Sequence, residues 1–499
     1  MTPWSDGYVA DVAYIPGYYR QQAPPHMALA CLLGGVDPML PGATDRAHYL
    51  ELGCGHGIGA LLIAASNPAW QVTAIDYNPA HIAGAVALAR DAGIGNIRFI
   101  EADLATFADT PDGRALRSAE VVSLHGVWSW VSPAVRTGIV RLLAQSVAPG
   151  GQVHVSYNAL PAWQGGIGFQ RLVREAGRRS GTRSDRQVTA GLQVARDLFD
   201  AEAANLRDGR LVSQLTELLE QSPIGYLAHE YMNAHWAPCF HADLQEALAG
   251  AKLDWAGSAN LLEAFPDLTM TAAQRAVLDR FDDPLMRELV KDMCLPRQLR
   301  HDVFVRGARR LSDAARDRAL SDVVLTLTVP ASGFDYQMDV PAGRAELGPA
   351  FRPMVEGLER SPATAGHLLE GQQGRSNPAE LVGVLVGTNQ AIPLLRPKAP
   401  NDPAAMRLNL ALSARVRSVV GGEVSGGLAS VALGAALPAT RLDLFVYGRL
   451  GAGESITDLD RWVEMLSGDV AEDKQGRLRE ALIRTAEMRV PIMRRAGVL

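Results

Sequence analysis

At 499 residues the chain is too long for one ordinary hydrophobic core, so two or three domains are expected. Hydrophobic residues make up 47% and charged residues 20%, a balance that supports extensive burial and excludes global disorder. A formal net charge of -6 excludes bulk attraction to nucleic acid or to an anionic membrane as the basis of function.

The opening MTPWSDGYVADVAYIPGYY has neither a cationic start nor an apolar core, so no secretory signal is expected. From residue 48 apolar runs alternate with helix-like stretches, the pattern of a parallel sheet with crossover helices. HYLEL (48–52) reads as a first strand and GIGALLIAASN (57–67) as the helix after it. QVTAIDYN (71–78) is a second strand, followed by a helix with Pro79 at its start and Gly93 at its end. IRFIEADL (97–104), the segment beginning AEVVSL (119–132) and QVHVSYN (152–158) are the third, fourth and fifth strands. Residues 161–226 break the alternation with helices. It resumes with a helix over 241–252 and strands in LDWAGSANL and LRHDVFVRG (299–307), so 161–240 reads as an insertion. Beyond 310, DVVLTLTV reads as a strand, ELVGVLVGTNQAIPLL as a helix then a strand, and RLDLFVYGRL (441–450) as a strand. RPKAPNDPAA (396–405) marks a further boundary. The longest weakly polar run, 426–439, is too short and too broken by Gly and Pro to span a membrane. Cys31, Cys54, Cys239 and Cys294 form no C-x-x-C pair, which points to a reduced, cytoplasmic protein without a metal.

The chemistry concentrates at HYLELGCGHGIGALLIAA (48–65), where Gly53, Gly55, Gly57 and Gly59 alternate between a strand and a helix. Such a bend lets backbone approach a ligand, with helix N–H groups aimed at it. Gly55, Gly57 and Ala60 fit the dinucleotide spacing G-x-G-x-x-G/A, with Asp76 at the second strand end for a ribose. Three features favour S-adenosylmethionine instead. Glu51 would repel a pyrophosphate but suits the cationic end of a methionine moiety. Asp103 ends the third strand, placed to accept from an adenine amino group. VAPGG before strand five completes the series.

On these residues the chain resembles the class I S-adenosylmethionine-dependent methyltransferases. The stretches LHGVWSWVS (124–132), VSYNALPAW (155–163), YLAHEYMNAHWAPCF (226–240) and RQLRHDVFVRG (297–307) are similar to bacterial methyltransferases with a methyltransferase regulatory domain, a group that includes protein lysine methyltransferases. The resemblance implies an α/β fold: a Rossmann-like seven-stranded sheet with a helical insertion and a C-terminal α+β, winged-helix-like region. The expected divisions are an N-terminal lid (1–47), a cofactor-binding core (48–160), the insertion (161–240), completion of the sheet (241–310), the winged-helix-like domain (311–396) and a last region (397–499). It further implies that Glu51, Gly53, Gly55, Gly57, Asp76, Tyr77, Asp103, Leu104 and His125 hold the cofactor. His125, Tyr157 and Asn158 are candidate catalytic groups: the histidine as a base, the other two orienting an amine. Trp128 and Trp130 are candidates for a cation–π contact, and His229, Glu230, Tyr231 and Trp236, with Tyr157, for substrate contact. Tyr14, Tyr18 and Tyr19 are expected to form a lid. Expected partners are a protein lysine or a small-molecule acceptor and a second copy of the chain, with no nucleic acid and no membrane span.

Overall fold

A computed structural model describes residues 7–12, 14, 17–41, 46–181, 183–206, 222–340, 343–370, 377–400, 402–416, 426–467 and 475–499. Seven strands make one sheet: β1 (His48–Leu52), β2 (Gln71–Asp76), β3 (Ile97–Glu101), β4 (Ala119–Leu124), β5 (Val147–Asn158), β6 (Leu253–Ser258) and β7 (Leu299–Arg306). Their order is β3-β2-β1-β4-β5-β7-β6. Pairing is parallel from β3 through to β5, and β7 runs antiparallel to both β5 and β6. This is the seven-stranded Rossmann-like sheet expected from the sequence. Strand β1 lies centrally with all five residues buried, as a strand covered on both faces must be.

Helix α1 (Pro24–Leu33) packs on β6 and β7, while α2 (Ile58–Ser66) and α3 (Pro79–Ala92) begin beside the site. Nearly every residue of α2 is apolar and buried, which is unusual for a helix on an open sheet. The cause lies far along the chain. An antiparallel hairpin, Gly426–Ser430 with Ala435–Ala439, packs on the outer side of α2. Ser66 Oγ donates to the Ala435 carbonyl at 2.7 Å and Asn67 Nδ2 to the Gly434 carbonyl at 3.0 Å. One apolar cluster therefore runs from α1 and α2 into the C-terminal region.

Between β5 and β6 the helices Gly166–Gly177, Ser184–Asp200 and Ile224–Met232 pack on a small apolar cluster. After β7, Val324–Leu327 is the middle strand of a three-stranded antiparallel sheet with Ala363–Thr364 and Ala391–Leu394, accompanied by the helices Asp313–Ser321, Phe351–Arg360 and Pro378–Gly387. The strand expected in RLDLFVYGRL is overturned: Arg441–Gly451 is a helix. Thr440 Oγ1 accepts from the Asp443 N–H while the Asp443 carboxylate accepts from the Thr440 N–H. That reciprocal cap settles an apolar run whose length suits either state. Among the described residues no helix is long and apolar enough to cross a membrane.

Candidate active site

The glycine bend between β1 and α2 is built from three left-handed residues, Gly53, Gly55 and Gly57, with φ of 73°, 52° and 70°. A Cβ at Gly53 would stand 2.4 Å from Val127 Cγ2, and one at Gly57 2.6 Å from the Phe99 ring. Both positions exclude side chains by space as well as by conformation. A Cβ at Gly55 would meet nothing within 4 Å, because that residue faces a cavity of about 420 Å³ at the carboxyl ends of the strands.

The predicted acids converge on this cavity. Glu51, Asp76, Tyr77, Asp103, Leu104 and His125 all line it, with Gly53 and Gly55. Gly57 does not; it is the left-handed residue immediately before α2. The Glu51 carboxyl is buried, and its Oε2 has no hydrogen-bond partner. Burial, with the Asp76 charge adding to it, pushes this carboxyl up to about 8. An enclosed, unpaired acid on a cavity wall suits a ligand that brings positive charge. Asp76 is held by its neighbours: Oδ2 accepts from the Gly55 N–H at 2.7 Å and Oδ1 from the Asn78 N–H at 2.9 Å, with His81 Nδ1 at 3.2 Å. Asp103 Oδ1 accepts from the Ala105 N–H at 2.8 Å, which fixes the turn after β3.

The opposite wall comes from the N-terminal segment and the insertion. Tyr8, Tyr14 and Tyr19 line it together with His229 and Glu230. His229 Nε2 donates to the Val12 carbonyl at 2.9 Å, and its ring packs edge-on against Tyr14 at 5.0 Å. Tyr19 stacks on His125 with centroids 3.8 Å apart. Desolvation pushes the Glu230 carboxyl up to about 7, against the opposing pull of a Tyr226 hydrogen bond. Burial and the nearby His301 hold His125 well below its ordinary value. Tyr18, expected in the lid, points elsewhere: its hydroxyl accepts from the Ala436 N–H at 3.2 Å in the C-terminal hairpin.

Several expected residues stand away from the cavity. Tyr157 is fully buried, and its hydroxyl donates to Asp302 Oδ2 at 2.6 Å beside His241. It is a correction to the sequence reading, since this side chain takes part in an internal ionic network in which Asp302 also meets Arg300 at 3.0 Å. Asn158 is likewise buried off the cavity; its N–H donates to Ser129 Oγ and its carbonyl accepts from the Cys239 N–H. Trp128 is buried with the Arg136 guanidinium 5.6 Å from its ring centre, so its cation is internal. Tyr231 packs on Phe169 inside the insertion. Trp130 does line the cavity, and Trp236 stands 6.1 Å behind it, packed in turn on Trp163. The sequence reading missed Tyr8, His56, His81 and Gln22. His56 had a visible signal, its place between two bend glycines; it donates from Nε2 to the Tyr14 carbonyl at 3.1 Å and so ties the bend to the N-terminal segment. Tyr8 had none.

A methyltransferase-domain family model matches residues 50–151, and the model of a predicted methyltransferase regulatory domain matches residues 224–306. The protein sll1526 of Synechocystis sp. (strain ATCC 27184 / PCC 6803 / Kazusa) is 32% identical over 366 residues, covering 73% of this chain and 71% of that one. In fold, the chain is similar to PKMT2 from Rickettsia typhi and to the same protein in complex with AdoHcy. Each comparison gives a TM-score of 0.68 over 97% of this chain and 99% of that one, at 16% and 15% identity.

Proposed function

The chain belongs to the S-adenosylmethionine-dependent methyltransferases that carry a methyltransferase regulatory domain, and from that premise we propose that it N-methylates lysine side chains of a protein. The observation that carries the lysine reading is the wall opposite the glycine bend, where Glu230 and three tyrosines face the cavity. Aromatic faces and an acid together favour an ammonium group over a neutral or anionic acceptor. The whole-length likeness in fold to PKMT2, a protein lysine methyltransferase, supports the same reading.

The residues fit the cofactor in three respects: an open cradle at Gly55, an unpartnered buried acid at Glu51, and acids at the ends of β1 and β2 and just beyond β3. When bound, S-adenosylmethionine supplies an electrophilic methyl group on a sulfonium centre. We assign Glu51 to the cofactor's ammonium, Asp76 with Tyr77 to its ribose, and Asp103 with Leu104 to its adenine, with Gly53 and Gly55 giving backbone access and Gly57 the turn. Lysine arrives protonated and must lose a proton before it can act as a nucleophile. Glu230, held near 7 by desolvation, is matched to take that proton at its carboxylate oxygen. Tyr8, Tyr14 and Tyr19 exclude water and hold the amine in line, the main demand of a displacement at carbon.

The test is incubation with methyl-labelled cofactor and a whole-cell extract, separated afterwards into protein and small-molecule fractions. Label in protein, recovered as methyllysine after hydrolysis, is the expected result. Label only in small molecules would establish the alternative, a small-molecule acceptor taken by the same cavity, and end the protein reading.

A further inference from the structure

Behind the cavity wall, on one face of the sheet, three histidines from three strand segments come together. In the pairing of β4 with β5, Ser123 stands opposite His154, which sets His125, two residues beyond Ser123, level with Ser156. In the pairing of β5 with β7, Ser156 stands opposite His301. Alternation then puts His125, His154, Ser156 and His301 on the same face. Ser156 is short, so the larger rings on either side of it reach across.

The rings meet through their nitrogens. His154 Nε2 lies 3.1 Å from His301 Nδ1, with centroids 5.4 Å apart and planes 22° from parallel, which is an edge-to-edge arrangement. The His125 ring is 5.4 Å from His301 with planes 24° apart. One nitrogen from each of the three lies within 4.8 Å of the other two. Two of the outer nitrogens are anchored: His154 Nδ1 is 3.2 Å from Ser123 Oγ, and His125 Nδ1 is 3.2 Å from Ser156 Oγ.

We propose that His125, His154 and His301 form a binding site for one divalent transition-metal ion of the zinc class. Two nitrogens bound tetrahedrally at about 2.0 Å from an ion stand about 3.3 Å apart, close to the spacing of the His154 and His301 pair. Three converging imidazoles with no carboxylate select zinc, cobalt or copper over magnesium or calcium. Hydroxyl partners on the outer ring nitrogens are the supports that ligating histidines have. The added charge meets two opposed neighbours at His301: Asp302, which favours a cation there, and Arg20, which opposes it. Arg20 turns its guanidinium to the Val386 carbonyl at 2.9 Å. The sequence carried no metal spacing because the three residues are far apart along the chain and only the strand pairing assembles them. His125 also lines the cavity, so an ion held here would border the place of methyl transfer.

The experiment uses the full chain without a histidine tag, stripped with a chelator and titrated with Co²⁺. One equivalent of Co²⁺ is expected to give a ligand-field absorption band that Zn²⁺ then abolishes. His154→Gln and His301→Gln are each expected to weaken cobalt binding about 100-fold or more, and Ser123→Ala about 10-fold, as loss of an outer partner does. His367→Gln is the control: that exposed histidine pairs with Glu370 in the C-terminal region and stands outside the three. It is expected to leave cobalt affinity unchanged. Binding of S-adenosylhomocysteine reports that each variant is folded. Absence of the cobalt band in the wild-type chain overturns the proposal. So does a band that persists with equal affinity in folded His154→Gln, in folded His301→Gln or, should those two fail to fold, in Ser123→Ala.

Discussion

Glu51 offers the strongest test of the cofactor site, because its burial couples folding, protonation and binding. In the free chain its carboxyl is pushed from an ordinary 4.5 up to about 8. The folded state therefore holds a proton that the unfolded state has already released above pH 4.5. Stability linked to Glu51 is fully present below that pH and falls as the pH rises toward 8, by about 1.4 kcal/mol for each pH unit. At pH 7 the loss amounts to roughly 3 kcal/mol, an upper figure for a group that is almost wholly buried. Glu51→Gln removes the titration and keeps the shape, so it is expected to stabilise the free chain by about 2–3 kcal/mol at pH 7 and by much less at pH 5. Binding reverses the sign. A cationic ligand beside Glu51 favours the carboxylate, so wild-type binding below pH 8 releases a proton and tightens with rising pH, by up to about tenfold per unit. Denaturant unfolding at the two pH values gives the first quantity. Calorimetry of S-adenosylmethionine binding in two buffers of different ionisation enthalpy gives the second. A Glu51→Gln chain no more stable than wild type at pH 7, together with no proton released on binding, would refute the argument.

Three further predictions test the rest of the molecule. Glu230→Gln is expected to lower kcat by about 100-fold or more and to remove a limb of the kcat/KM profile that rises through about pH 7 in wild type; an unchanged profile takes Glu230 out of proton transfer. Tyr157→Phe removes a buried donor to Asp302 and is expected to cost about 1–2 kcal/mol in unfolding free energy with turnover retained; a large loss of kcat at unchanged stability would return Tyr157 to the chemistry. Arg300 lies within 3.0 Å of carboxylate oxygens on Glu288, Asp292 and Asp302, all buried, so Arg300→Met removes the one cation these acids share, leaving Arg297 with Glu288 and Asp292, and Tyr157, His241 and Trp255 with Asp302. A destabilisation of about 3–5 kcal/mol is expected from denaturant midpoints, and a change under about 1 kcal/mol would show that the network contributes little.

The cofactor half of the site was legible because its determinants are local. A strand, a bend of left-handed glycines and a helix follow one another within a dozen residues or so, and an acid at or just after a strand's end is placed by chain direction alone. The acceptor half was legible only in part. Glu230 and His229 stood out as a polar, aromatic cluster, yet Tyr231 and Trp236, from the same cluster, do not line the cavity. Tyr157 shows the reason most clearly. Alternation along β5 says that it and Ser156 face opposite ways, but not which face looks toward the cavity. Arg441–Gly451 failed differently: its short apolar run fits strand or helix, and the Thr440 to Asp443 cap was the signal to weigh.

The sequence by itself determined the sheet, its glycine bend and the three acids above it, since hydrophobic period and turn chemistry act over a few residues. Tertiary structure alone decided that Tyr8 and Tyr14 line the cavity together with Glu230, that the 426–439 hairpin covers α2, and that three distant histidines share one face. Those placements depend on which surfaces bury each other, a choice made by packing across hundreds of residues and written in no single stretch of the chain.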